Sequence, residues 1–217
     1  MSNALQVATG GAPLAKAKAV TILLHGRGAS AESMMGLAEV IAQPDIAYLA
    51  PQATGGSWYP YSFLAPLEQN EPHLSRSLAT IGALVDNLTR HGFAPKNIAL
   101  LGFSQGGCLG LEFAARNAKC YAAVIGLSAG LIGPENTPRN YPGSLAGTAI
   151  FLGCSDIDDH IPLARVHESS KVLGALGGDV IERIYPSMGH TINEDEIGHV
   201  RSILAGLQRD VPASWDR

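Results

Sequence analysis

Short, mainly apolar runs recur along the chain at 19–24 (AVTILL), 46–50 (IAYLA), 97–102 (NIALLG), 121–127 (YAAVIGL), 148–153 (TAIFLG) and 180–185 (VIERIY). Stretches with helical periodicity separate them. The segment 75–91 puts Leu78, Ile81, Leu84, Val85 and Leu88 on one face before Gly92. The segment 163–176 does the same with Val166, Val172, Leu173 and Leu176 before Gly177 and Gly178, and 194–207 with Ile197, Val200, Ile203, Leu204 and Leu207. This alternation predicts βαβ units, because parallel strands need long crossover connections. A mostly parallel sheet with helices on both faces follows. Such strands are buried on both sides, which suits 46% hydrophobic and only 16% charged residues. At 217 residues one α/β domain without a separate cap is expected, with residues 1–18 as an N-terminal extension or edge strand.

A formal net charge of −4 without a basic cluster leaves no footprint for nucleic acid, and no apolar stretch reaches the length of a membrane span. Lys16 and Lys18 interrupt the place where a secretory signal would have its apolar core, so a cytoplasmic location is expected. Cys108, Cys120 and Cys154 show neither CxxC nor metal-ligand spacing, and are expected to be structural thiols with no metal and no cofactor. The expected partner is a small molecule. Nothing in the composition speaks against a homodimer.

Two irregular stretches, 51–74 and 128–147, are longer than connections in a compact domain usually are, and loops of that length tend to carry function. The first holds Trp58, Tyr59, Tyr61, Phe63 and Leu64, enough large apolar groups to wall a pocket. Trp58, Tyr59 and Phe63, with Leu131 from the second loop and Met188 further on, are the candidate pocket residues.

The sequence GFSQGG at 102–107 stands between the apolar run 97–102 and a helical pattern. Gly102, Ser104 and Gly106 match G-x-S-x-G in the strand-before, helix-after context that a nucleophile elbow requires. A serine hydroxyl is a weak nucleophile, so it needs a base within hydrogen-bond reach and an acid to orient that base. Both occur in the order Ser, Asp, His: the run CSDIDDHIP follows strand 148–153, and PSMGH follows strand 180–185. His190 is the candidate base, with His160 its rival from within the acidic loop. Counting back from Pro162 favours Asp158 as the acid, while counting forward from Gly153 favours Asp156; Asp158 is preferred. Upstream, LLHGRG at 23–28 ends an early strand, where a loop N–H can join that of the residue after the nucleophile in an oxyanion hole. The expected donors are the backbone amides of Arg27 and Gln105, with His25 as a brace for the loop. Trimming either side chain should then matter less than moving the loop.

Taken together, LLHGRG, GFSQGG, DDHIP and PSMGH resemble the phospholipase/carboxylesterase family of α/β hydrolases, which includes the acyl-protein thioesterases. The likeness runs in order from about residue 20 to residue 204. It implies an α/β-hydrolase fold, Ser104, Asp158 and His190 as the triad, the Arg27 and Gln105 amides as the oxyanion hole, and the Trp58–Tyr59 pair beside an acyl site. It also implies hydrolysis of an ester through an acyl-enzyme. Arg27 stands where the thioesterase pattern more commonly has an apolar residue, so a small soluble ester is expected before a long-chain lipid, with an acyl-protein or acyl-CoA thioesterase or lysophospholipase as the alternative. From another class, the chain could serve as an inactive binding protein on the same scaffold.

Overall fold

The computed structural model describes residues 5–207. Seven strands form one sheet: β1 (Val7–Gly11), β2 (Ala19–Leu24), β3 (Ile46–Pro51), β4 (Ile98–Phe103), β5 (Ala123–Leu127), β6 (Ala149–Ser155) and β7 (Asp179–Tyr185). Their spatial order is β1-β3-β2-β4-β5-β6-β7, and every pairing is parallel except the antiparallel β1–β3 edge. Every residue of β2, β3 and β5 is buried, as strands covered on both faces must be. Thus the N-terminal segment supplies an edge strand; residues 1–4 lie outside the described residues.

The helices are α1 (Ala31–Val40), α2 (Leu67–Asn70), α3 (His73–Arg90), α4 (Gln105–Arg116), α5 (Leu163–Ala175) and α6 (Glu194–Gly206). On one face, Leu74, Ile81, Leu109, Val166 and Leu173 from α3, α4 and α5 share a core with Val20, Ile22 and Leu100 of the sheet. On the other, Met34 and Ala38 of α1 and Val200 and Leu204 of α6 pack with Leu23, Leu101, Ile125 and Phe151. The alternating sets within each strand therefore divide between two cores, as the period of two requires. Helix α4 is the most enclosed, with every residue from Gln105 to Ala115 buried. Consequently the turn that feeds it sits in the middle of the sheet.

Capping sets the start of α6, close behind the segment that carries His190. Asn193 accepts from the Glu196 amide at 2.9 Å, and Glu196 Oε2 accepts from the Asn193 amide at 2.9 Å. The Glu196 side chain is fully buried and its Oε1 has no partner among the described residues. Burial raises its pKa to about 7, the Asn193 amide opposes the rise, and Asp195 adds to it. A raised folded-state pKa stabilises the fold below the unfolded value of 4.5, and that contribution disappears as pH rises through about 7. Glu196→Gln should therefore gain on the wild type by on the order of 2 kcal/mol between pH 5 and pH 8, read by urea unfolding of both proteins at each pH.

Candidate active site

At the junction of β4 and α4, Ser104 has φ 53° and ψ −122°, a conformation that L-residues rarely adopt. Close backbone approach forces the turn. A Cβ on Gly106 would overlap the backbone of Leu24 and His25 at the end of β2, and one on Gly102 would overlap Gly106 and Gly107. The Ser104 amide donates to Leu127 O at 2.9 Å and its carbonyl accepts from the Cys108 amide at 2.9 Å, which pins the residue from both sides. Its side chain is left to project beyond the sheet.

His190 meets that side chain, with Nε2 2.9 Å from Ser104 Oγ and Nδ1 2.8 Å from Asp158 Oδ2. Because a carboxylate only accepts, Nδ1 carries the proton and donates, leaving Nε2 to accept from the serine hydroxyl. The Asp158 side chain is wholly buried. Burial acts to raise its pKa, but the bond from His190 and the amides of His160 (2.9 Å) and Ile161 (3.0 Å) on Oδ1 outweigh it and hold the carboxyl below its usual range. Asp156 faces elsewhere: its Oδ1 accepts from the Ser187 amide at 2.7 Å. His160 is 65% exposed and stands edge-on to His190, with ring centroids 4.7 Å apart, and among the described residues its imidazole hydrogen-bonds to neither Ser104 nor Asp158. Of the two aspartates, Asp158 is the one on the imidazole.

The Arg27 and Gln105 amides donate to no protein acceptor among the described residues, and both residues line the cleft that contains Ser104 and His190. Their side chains are engaged elsewhere. Gln105 Oε1 accepts from the Trp58 amide at 3.0 Å while Nε2 donates to Tyr59 O at 2.8 Å. Arg27 Nη1 donates to Ser57 Oγ (3.1 Å) and Pro60 O (2.8 Å), and Nη2 to Tyr61 O (2.6 Å). Both side chains thus hold the 57–61 segment, a role that motif spacing gave no means of seeing. Buried His25 braces the same region: Nδ1 donates to Gly26 O at 2.7 Å and Nε2 accepts from the Ala53 amide at 3.1 Å. Burial lowers its pKa and keeps it neutral, as those roles require.

The cleft, about 610 Å³, is lined by Tyr59 and Phe63 of the candidate pocket residues. Trp58, Leu131 and Met188 are not among its lining residues, which corrects their assignment as pocket residues. Trp58 turns inward because its indole N–H needs an acceptor and finds His25 O at 2.8 Å. Leu131 is fully buried in the core, its amide held by Ser169 Oγ, and Met188 Sδ lies 2.9 Å from Asn193 Nδ2. The remaining walls come from Tyr61, another aromatic of the same loop, and from Ser62, Phe103, His160 and Ile161. Cys108 lies at the cleft as a protonated thiol, its pKa pushed up to about 12 by burial.

A family model described as Phospholipase/Carboxylesterase matches residues 11–207. The chain belongs to the phospholipase/carboxylesterase family. It has the α/β-hydrolase fold that this family shares: the crystal structure of a phospholipase/carboxylesterase from Dyadobacter fermentans DSM 18053 superposes with a TM-score of 0.90 at 40% identity, covering 94% of this chain and 98% of that one. Acyl-protein thioesterase 1 of Emericella nidulans is 25% identical over 228 residues, 92% of this chain and 93% of the relative. Acyl-protein thioesterase 1 of Gibberella zeae is 29% identical over 122 residues, which span 52% of this chain and about half (49%) of that relative.

In this family member the Gln105 side chain joins the α4 N-terminus to the aromatic loop. Gln105→Ala should free 57–59, lower kcat/KM by roughly tenfold or more through misplacement of the cleft wall, and speed limited proteolysis within 54–63. Steady-state kinetics on a simple ester and a timed digest check both.

Proposed function

We propose that the chain is a serine hydrolase of carboxylic esters acting through an acyl-enzyme, with Ser104 as nucleophile, His190 as base and Asp158 as its orienting acid. The observation that carries this reading is the 2.9 Å separation of Ser104 Oγ and His190 Nε2 beside a 2.8 Å Asp158–His190 contact. Ser104 Oγ attacks the ester carbonyl as its proton passes to Nε2. The Arg27 and Gln105 amides receive the oxyanion, each such donor typically being worth about 3 kcal/mol. Collapse of the tetrahedral species breaks the C–O bond, and the imidazolium returns its proton to the leaving alcohol. Water then enters, loses a proton to Nε2 and attacks the acyl carbon, releasing the acid and restoring Ser104. Throughout, Asp158 stays ionised and stabilises the imidazolium.

A small soluble ester is the substrate class this reading favours. The fungal thioesterase relatives support a second one, an acyl thioesterase, since a thiolate leaves with less protonation than an alkoxide and the same groups serve. Turnover of short-chain esters, long-chain esters and acyl thioesters under one set of conditions separates the two.

Ser104→Ala should lose on the order of 10⁵ in kcat on p-nitrophenyl acetate and all covalent labelling by a fluorophosphonate; full labelling of that variant would end the proposal. Asp158→Asn should cost on the order of 10⁴ in kcat with the fold intact, whereas Asp156→Asn should cost far less. Equal losses in the two aspartate variants would reassign the acid.

A further inference from the structure

Arg27 lines the cleft beside Ser104 with no acidic partner among the described residues. Its protein acceptors are three neutral oxygens, on Ser57, Pro60 and Tyr61, and its guanidinium carbon lies 5.9 Å from the Tyr59 ring centre. These bonds use three of the five N–H groups, so Nε–H and one Nη2–H have no acceptor among the described residues. None of the cleft-lining residues is acidic. Asp158 lies behind His190 and is occupied by it, and Asp159 stands 3.7 Å from His160. Among the described residues the cleft therefore holds one permanent positive charge, fixed in place by its neighbours and without an acidic partner, on the residue whose amide faces the reacting carbonyl in the mechanism above. A planar fork of this kind takes a carboxylate in two parallel hydrogen bonds, and little ordering remains to be done on binding.

We propose that Arg27 selects esters that carry a second, anionic group, with a carboxylate as the model case, placed so that it reaches the guanidinium while the ester carbonyl lies at Ser104. This rests on the hydrolase reading and names its substrate class.

The test compares kcat/KM on isosteric pairs. With the carboxylate on the acyl side, the pair is monomethyl succinate and methyl levulinate; with it on the alcohol side, acetoxyacetate and acetoxyacetone. At low salt the wild type should prefer the charged member of at least one pair by about tenfold. That preference should shrink as salt screens the charge, vanish in Arg27→Gln and survive in part in Arg27→Lys. The pair that shows it tells which side of the ester the anion occupies. A ratio at or below one in both pairs overturns the proposal, as does an Arg27→Gln variant that slows charged and neutral esters equally, the mark of a purely structural clamp. Should that variant fail to fold, competitive inhibition of the wild type decides: levulinate should bind tighter than its neutral isostere 2,5-hexanedione and lose that advantage in salt, and equal inhibition overturns the idea. Neutral esters also report on the underlying reading. A wild type that hydrolyses neither member of any pair and takes no fluorophosphonate at Ser104 overturns both.

Discussion

The approach of the α4 N-terminus to the end of β2 is the constraint on which the site depends. The backbones of Gly106, Leu24 and His25 come so close that no side chain fits between them, and Gly102 meets Gly106 and Gly107 in the same way. Between these glycines Ser104 is held in a backbone conformation that costs on the order of 1–3 kcal/mol, sustained by its bonds to Leu127 and Cys108 and by the enclosed helix beyond. The same turn leaves the first N–H groups of α4 without intrahelical partners. One of them, on Gln105, is thereby available at the cleft. The position of Ser104 and the free amide of Gln105 follow from a single steric fact.

Around that turn, main chain and side chain divide their duties. The side chain of Gln105 and three of the five N–H groups of Arg27 hold the 57–61 segment, while both backbone amides have no acceptor among the described residues. His25 ties Gly26 to Ala53, and its carbonyl takes the Trp58 indole. The glycine-containing loop after β2, the aromatic loop after β3 and the elbow after β4 are consequently one connected body. A change in any of them is transmitted to the other two, which couples the shape of the cleft wall to the placement of the donors.

The central strands were legible because their apolar runs have one explanation, burial on both faces; β2, β3 and β4 fall within one residue of the expected bounds. Ser104 and His190 were legible because an elbow and a histidine after the last strand leave few alternatives of order. Other features were not. Strand β1, VATGG, has no apolar run to give its bounds; an edge strand in residues 1–18 was one of two expectations, and β3 offers it the edge. Which aromatic of the 51–74 loop lines the cleft depends on where an indole N–H finds an acceptor 33 residues away, and no local pattern encodes that. The Arg27 and Gln105 clamps are likewise contacts across 30 to 48 positions.

The choice between the two aspartates shows how a strand end decides chemistry. Strand β6 does not stop at Gly153 but runs through Ser155, so a count forward from the glycine misplaces the loop by two residues. Asp156 is then the first residue past the strand, beside β7, where it takes the Ser187 amide, while Ser155 Oγ takes the Gly189 amide at 3.1 Å. These two bonds fix the 187–190 turn independently of Asp158. Asp158 lies two residues further on, where its loop has turned back and the amides of His160 and Ile161 close on one carboxylate oxygen, leaving the other for the imidazole. The residues between Gly153 and Pro162 thus carry two acids with separate contacts. One carboxylate places the histidine's backbone, and the other sets the charge its ring sees.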